Sequence, residues 1–239
     1  MKLLNLIIYS INIPEYQEMF KIQSVYLKKV NNIDYYFLVF TKRMKEMFGN
    51  EHDIIVIDNI IYLKGSESLI PGILLKTLYG LEIFKNKKYD YIIRSNISEI
   101  INFDLLRDKL NDMDFDYGGS SYKELTWLDF SAGIFDWIYY KRKFIQGNSI
   151  LISNNFKDII IENKIKILNY NVIDDVAIGL LYDDLKLKHN LKDIVTFEEK
   201  INSDKYIEDV IFYRNKHADD RKIDIVNMKK ICDEIISLI

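Results

Sequence analysis

Three stretches of this chain gather residue types that do chemistry. Gly72-Ile73-Leu74-Leu75-Lys76-Thr77 precedes Tyr91-Ile92-Ile93-Arg94-Ser95-Asn96-Ile97-Ser98; Gln146-Gly147-Asn148 leads into Ser149-Ile150-Leu151-Ile152-Ser153; and Ile173-Asp174-Asp175-Val176-Ala177-Ile178-Gly179 sets two adjacent carboxylates before an apolar segment. Neighbouring carboxylates raise one another's pKa, which brings one of them toward the range a general base needs. The same pair also suits a helix start, as an N-cap and a charge on the positive end of the dipole. Asn96 and Ser98, just before Glu99, read the same two ways, as site residues or as caps. Gly147 marks a close backbone approach. The histidines His52, His189 and His217 are too scattered to define a metal cluster, and Cys232 falls at core spacing in a terminal helix.

The elements that must position these residues follow from hydrophobic period. The run from Leu3 to Tyr9 is apolar almost throughout, as in a strand covered on both faces. Asn12 and Pro14 predict a cap and a first-turn proline for a helix whose apolar stripe is Tyr16, Phe20, Ile22, Val25, Tyr26 and Val30. Residues 35–40 and 53–57 read as further buried strands, 70–84 as a helix, and 89–93 as a strand that ends in a polar turn, Arg94 to Ser98. The aromatic stretch 120–143 reads as an insertion of loop and short helix. A strand (149–152), a helix (155–164), the acidic segment with its helix, a strand (210–213) and an amphipathic helix with Ile225, Met228, Ile231, Cys232 and Ile235 complete the chain. Strand–helix alternation predicts an α/β domain, residues 1–239, with a mostly parallel central sheet flanked by helices. Ligands of such sheets bind beyond the carboxyl ends of strands, so Tyr9, Ser10 and Ile11 and the Arg94–Asn96 turn are expected to line a cleft.

Composition sets outer bounds. With 239 residues, 49% of them apolar and 29% charged, the chain can bury a large core and still leave a cleft. Lys and Arg number 33 against 36 Asp and Glu, a net charge of −3, which argues against nucleic acid as a partner. One cysteine excludes a disulfide framework and a paired-CxxC zinc site. Asn5 interrupts the first apolar run and no small-residue cleavage site follows, so the beginning reads as a strand rather than a leader, with no membrane span and a cytoplasmic location. The abundance of Ile, Asn, Lys and Tyr fits an AT-rich genome, that of a large DNA virus or a low-GC bacterium.

Taken together and in this order, LLKTLYGLEIF before YDYIIRSNIS, then GNSILIS, then IDDVAIG resemble the β-1,3-galactosyltransferase and fringe-like group of GT-A glycosyltransferases, over residues 3–185. The pattern is also similar to small glycosyltransferase-like proteins of large DNA viruses and bacteria. The resemblance implies a single GT-A-like (Rossmann-like) fold that moves a sugar from a nucleotide-sugar donor, a UDP-sugar, to the hydroxyl of a glycan or protein-linked sugar. An inverting displacement follows, in which Asp175 takes the acceptor proton and Asp174 orients the acceptor or serves as the fallback base. Tyr9, Ser10, Ile11, Lys76, Arg94, Ser95, Asn96 and Ser98 would then face the donor, and Gly147, Asn148 and Trp127 the acceptor. Trp127 and Trp137, with Tyr122, Phe130, Tyr139 and Tyr140, read either as an aromatic shelf for that acceptor or as core.

One departure from the family pattern matters. Its acidic triplet, which holds Mn²⁺ or Mg²⁺ against the donor diphosphate, is replaced here by Asn96-Ile97-Ser98. Hard divalent cations bind amide and hydroxyl oxygens far more weakly than carboxylates. Either no metal cofactor is used, or Glu99 or Asp104 supplies the carboxylate. Without a metal, the charge on the leaving nucleotide needs another partner, and Arg214, Lys216, His217 and Arg221 form a cationic run suited to phosphate. The competing readings are a solvated charge run and, for the whole chain, a non-catalytic module that binds glycan or nucleotide. A nucleotidyltransferase is disfavoured because no glycine-rich basic loop follows the first strand.

Overall fold

The computed structural model describes residues 1–49, 52–217 and 220–238. Its elements, in chain order, begin with β1 (Leu3–Ile8), α1 (Pro14–Leu27), β2 (Ile33–Thr41), α2 (Met44–Phe48), β3 (Ile54–Ile57), β4 (Ile60–Lys64) and α3 (Gly72–Ile83). β5 (Tyr91–Asn96), β6 (Glu99–Ile101), α4 (Phe103–Leu110), β7 (Tyr117–Gly119), β8 (Tyr122–Glu124), β9 (Lys143–Ile145) and β10 (Ser149–Ser153) follow. The remainder is α5 (Asn154–Glu162), α6 (Lys164–Asn169), α7 (Asp174–His189), β11 (Val195–Thr196), β12 (Glu199–Ile201), β13 (Phe212–Arg214) and α8 (Arg221–Leu238).

Eight strands make one sheet in the order β11-β7-β10-β5-β1-β2-β4-β3, and β12-β13-β6 and β8-β9 form two smaller sheets. β1 runs parallel to β2 and β5, and β2 parallel to β4, as the alternation predicts. β10 is antiparallel to both of its neighbours, β5 and β7. The reason is local: no crossover helix lies between β7 and β10, so the chain returns beside β7 in the opposite sense. That reversal brings the start of β10 against the end of β5, with Ser149 opposite Ser95.

Side-chain alternation divides the core between the two faces of this sheet. Leu4 and Leu6 pack under α3, α5 and α7, whereas Leu3 and Ile7 pack toward α1, α4 and α8. The same alternation runs through β5, where Ile92 faces the first core and Tyr91 and Ile93 the second.

Several expectations need correction. Arg94, Ser95 and Asn96 are the last residues of β5 rather than a turn; the turn is Ile97-Ser98 alone. β3 is not buried, because it is the sheet's edge strand and pairs only with β4. Asn12 does not cap α1; Ile13 holds that position and gives no side-chain bond. Val25 is exposed, and the buried face of α1 is Met19, Gln23, Tyr26 and Leu27. Gln23 belongs to that face because its amide donates to the carbonyls of Ile97 (2.7 Å) and Glu99 (2.8 Å), a pairing that apolar periodicity does not register. The late strand begins at Phe212 rather than at Val210.

Candidate active site

α7 starts at the acidic pair. Its N-cap is Ile173, which gives no side-chain bond, so neither aspartate serves as the cap. The helix is drawn close to β9 at Gly179, where an added Cβ would meet Phe144 Cβ at 2.4 Å and the Lys143 carbonyl at 2.7 Å. This close approach sets the first turn of α7 beside the loop 146–148 and the end of β5.

Arg94 projects from β5 toward that turn. Its guanidinium pairs with Asp174 at 2.8 Å, with side chains only 1% and 2% exposed, and donates to Asn96 Oδ1 at 2.9 Å and to the Gly147 carbonyl. The Gly147 backbone is thus held through both of its flanking peptides, because its N–H donates to Asp175 Oδ2 at 2.8 Å. A side chain at position 147 would push the Asp175 carboxylate from its place, since its Cβ would lie 2.9 Å from Asp175 Oδ2 and 3.1 Å from Cγ. Asp175 Oδ1 accepts the N–H of Val176 at 2.9 Å. Desolvation, then the charge of Asp174, pushes the Asp175 carboxyl up to about 6. Desolvation also raises Asp174, against the opposing pull of Arg94.

These groups open onto a cleft of about 1010 Å³. The volume sits at the upper end of small-molecule sites, which span roughly 300–1,000 Å³. Its walls include Tyr9, Ser10, Lys76, Arg94, Asn96 and Ser98, expected to face the donor, and Asp174, Asp175, Gly147 and Trp127, expected to carry catalysis and face the acceptor. The late residues Arg214, Lys216, His217 and Arg221 line the same cleft, having been carried there by β13 and the start of α8.

Three expected residues do not reach it. Ser95, one position out of phase with Arg94, points to the opposite face and donates to Asn5 Oδ1 at 2.8 Å. Asn148 is buried, its amide spent on Ser120 Oγ (2.7 Å) and Glu199. Ile11 turns its side chain toward the second core while its carbonyl accepts from Gln17. Lys76 does line the cleft, but its ammonium is fully engaged with the Tyr9 carbonyl (2.6 Å) and both oxygens of Glu67 (2.7 and 2.8 Å). Burial lowers its pKa, opposed by Glu67, and its role is to anchor the chain after β1.

The late cations differ in freedom. A fully buried Asp224 holds His217 Nδ1 and Arg221 NH1, each at 2.6 Å, and Arg221 also lies over the Tyr16 ring. Arg214 and Lys216 have no ion pair within 4 Å among the described residues. Sequence reasoning missed Glu67 and Lys123 on the walls, and gave Gln146, although it opens one of the three stretches, no role there. Glu67 was discoverable only through its pairing with Lys76, nine residues away and outside any helix that contains both.

The metal pattern does not reappear in another form. Asn96 Oδ1 already accepts from Arg94, and Ile97 is buried in the second core. Glu99 is buried away from the cleft, near Glu199, and desolvation keeps its pKa well above the ordinary carboxylate range. Asp104 pairs with Arg107 on α4 at 2.9 Å. Among the described residues no group of three or more His, Cys, Asp or Glu could hold a metal ion. The donor set does not fit a hard divalent cation. Among the described residues, too, no helix is long and apolar enough to cross a membrane.

The chain matches no family model and no curated protein. It is similar to solved structures. The glycosyltransferase GlyE of Streptococcus pneumoniae TIGR4 superposes with a TM-score of 0.53 at 12% identity, over 99% of this chain and 63% of GlyE. The bifunctional glycosyltransferase WbbM superposes with a TM-score of 0.50 at 8% identity, over 99% of this chain and 51% of WbbM. A glycosyltransferase involved in glycosylation of the major capsid of PBCV-1 gives 0.49 at 7% identity, over 97% of this chain and all of that one. The chain therefore spans less than two thirds of GlyE and about half of WbbM. At such identities the likeness speaks for architecture: this is a GT-A-like α/β fold, with a mostly parallel eight-stranded sheet between helices.

Proposed function

We propose that this protein is a glycosyltransferase that moves a sugar from a nucleotide-sugar donor, a UDP-sugar, to a hydroxyl acceptor by inverting displacement, with Asp175 as general base. The observation that carries the reading is the Asp175 carboxylate. It stands on the wall of the cleft and is oriented by the N–H groups of Gly147 and Val176, and burial with the neighbouring Asp174 charge pushes its carboxyl up to about 6. A base in that range is ionised at neutral pH yet able to accept the hydroxyl proton as the acceptor oxygen attacks the anomeric carbon. Asp174 is committed to Arg94 and acts as a positioning residue: it holds the guanidinium that fixes the Gly147 peptide.

Arg214 and Lys216 take the donor's diphosphate, since they are the late cations with no ion pair within 4 Å among the described residues. Arg221 and His217, tied to Asp224, shape that wall. No step is routed through a divalent metal, because the donor set does not suit one. That same departure favours a second reading, a module that binds a nucleotide-sugar or glycan without transfer.

One experiment separates them. UDP-, GDP-, dTDP- and CMP-sugars are screened for binding by calorimetry and for transfer to sugar acceptors. Asp175→Asn should keep donor affinity and lose at least about 10²-fold in transfer, as for removal of a general base. Arg214→Ala should weaken donor binding by roughly tenfold or more, the worth of one charge-assisted hydrogen bond, while EDTA changes it little. Full activity in Asp175→Asn would end the catalytic assignment. Donor binding with no transfer in the native protein would establish the binding module.

A further inference from the structure

The excursion between β8 and β9 is built to hold apolar side chains in water. Phe130 is 69% exposed, Phe135 59%, Trp137 56% and Ile138 70%, with Trp127, Leu128 and Tyr140 also exposed. This corrects the reading of these aromatics as core; of that group only Tyr139 packs inward, against Tyr170. Exposed clusters of this kind mark a surface that meets another phase or partner.

The backbone beneath them is well fastened, so the display is not a frayed loop. Asp129 accepts from the N–H groups of Ser131 (3.0 Å) and Ala132 (3.2 Å), and Asp136 from Ile138 (2.8 Å), each capping a single helical turn that carries the exposed rings. Arg142 ties the end of the excursion to α7 through Asp183 (2.8 Å) and Asp184 (2.6 Å). Those caps turn both acids of the tip onto its own backbone. The lysines around it are left without acid partners: Lys141 lies over the Tyr140 ring and Lys143 over Tyr122, and Lys143 stands opposite Glu124 across the hairpin without an ion pair within 4 Å.

We propose that this excursion seats the protein on an anionic lipid surface. Tryptophan, tyrosine and phenylalanine beside isoleucine and leucine suit the headgroup–acyl boundary, and lysines without acid partners suit anionic headgroups. A sugar ligand would stack on one ring face; it would have no use for Ile138 or Phe135, which do not line the cleft. Trp127 and Asp129 do line it, so the cleft mouth is continuous with the docking surface. Resting on the glycosyltransferase reading, this makes the acceptor one that is presented at the membrane surface.

The chain's only two tryptophans both lie in the excursion, so tryptophan emission, excited selectively over the 17 tyrosines, reports on this surface. The full chain is titrated with vesicles of phosphatidylcholine, with and without phosphatidylglycerol, and followed by emission and co-sedimentation. Emission should shift to the blue and the protein should partition onto the anionic vesicles, less so in high salt. Phe130→Ser/Trp137→Ser/Ile138→Ser, with unchanged circular dichroism, should lose at least about 100-fold in partitioning. Lys141→Glu/Lys143→Glu should lose about tenfold or more on anionic vesicles and little on neutral ones. No partitioning onto either vesicle would overturn the proposal. So would partitioning that survives the triple substitution, or a lipid-free, concentration-dependent dimer that shields the tryptophans. The assay contains no donor, so its outcome is independent of whether the chain transfers sugar.

Discussion

Asp174→Asn tests the pivot of the site. The variant keeps the shape of the side chain and removes its charge, leaving Arg94 cationic and 1% exposed. Breaking a buried pair costs about 3–5 kcal/mol because the surviving charge is uncompensated. Arg94 keeps two neutral acceptors, Asn96 Oδ1 and the Gly147 carbonyl, and the new amide oxygen offers a third. That argues for the lower end, about 3 kcal/mol, against a total stability of roughly 5–15 kcal/mol for a domain. In a chain of this size the loss corresponds to a fall in Tm of about 6–12 °C. Urea unfolding followed by circular dichroism measures it. The cycle is closed with Arg94→Met/Asp174→Leu, which should recover most of the loss because apolar replacements of a buried pair are often neutral. Transfer should fall together with stability, since Arg94 fixes the Gly147 peptide that in turn holds Asp175. A loss below about 1 kcal/mol in Asp174→Asn, or no recovery in the double variant, would refute the assignment of Arg94–Asp174 as a dry pair that anchors the site.

The Asp175 titration fixes two further outcomes. With a carboxyl pushed up to about 6, the transfer rate should rise with pH through about 6 and level off above it, and a rate flat from pH 5 to 8 would count against this base. The raised pKa means that the native state binds this proton more tightly than the unfolded chain, so stability should decline as pH rises from about 4 to about 6. Asp175→Asn should remove that decline and melt higher than the native protein at pH 7, the opposite of Asp174→Asn. Gly147→Ala should lower transfer at least about tenfold while costing under about 2 kcal/mol, because its Cβ would meet the carboxylate at 2.9 Å rather than the core. A native rate in that variant would show that Asp175 is free to move away.

Asp129, on the wall of the cleft, is bound to its own turn. Its oxygen takes two N–H groups and the Ser131 hydroxyl, and side-chain hydrogen bonding to Ser131 holds its carboxyl below the usual range.

Much of the frame was legible in the sequence because local signals and burial agree there. The run 3–8 is apolar at every position but Asn5 and is a central strand; Lys76, Arg94, Asp174 and Asp175 stand out by residue type and spacing, and all four line one cleft. What misled was phase. Ser95 is as polar as Arg94 and Asn96, yet a strand turns alternate residues to opposite faces, and only the extension of β5 through Asn96 reveals that Ser95 faces away. Val25 matched the helical stripe but lost its place to Gln23, whose amide satisfies two loop carbonyls that no periodicity encodes.

The sequence by itself determined which side chains could carry charge and protons, and roughly where along the chain strands and helices would hold them. Tertiary structure alone decided which of two adjacent aspartates is locked and which is available. Their local environments along the chain are nearly identical, and the difference comes from Arg94 and Gly147, about 80 and 28 residues away, brought in by the antiparallel entry of β10. It also decided that Lys76 is spent on Glu67 while Arg214, near Glu99 and Glu199, makes no direct ion pair within 4 Å among the described residues, because ion pairing depends on distances between elements. And it decided that the aromatics of 127–140 stand in water, since burial is a property of what packs above a residue and hydrophobicity states only the residue's preference.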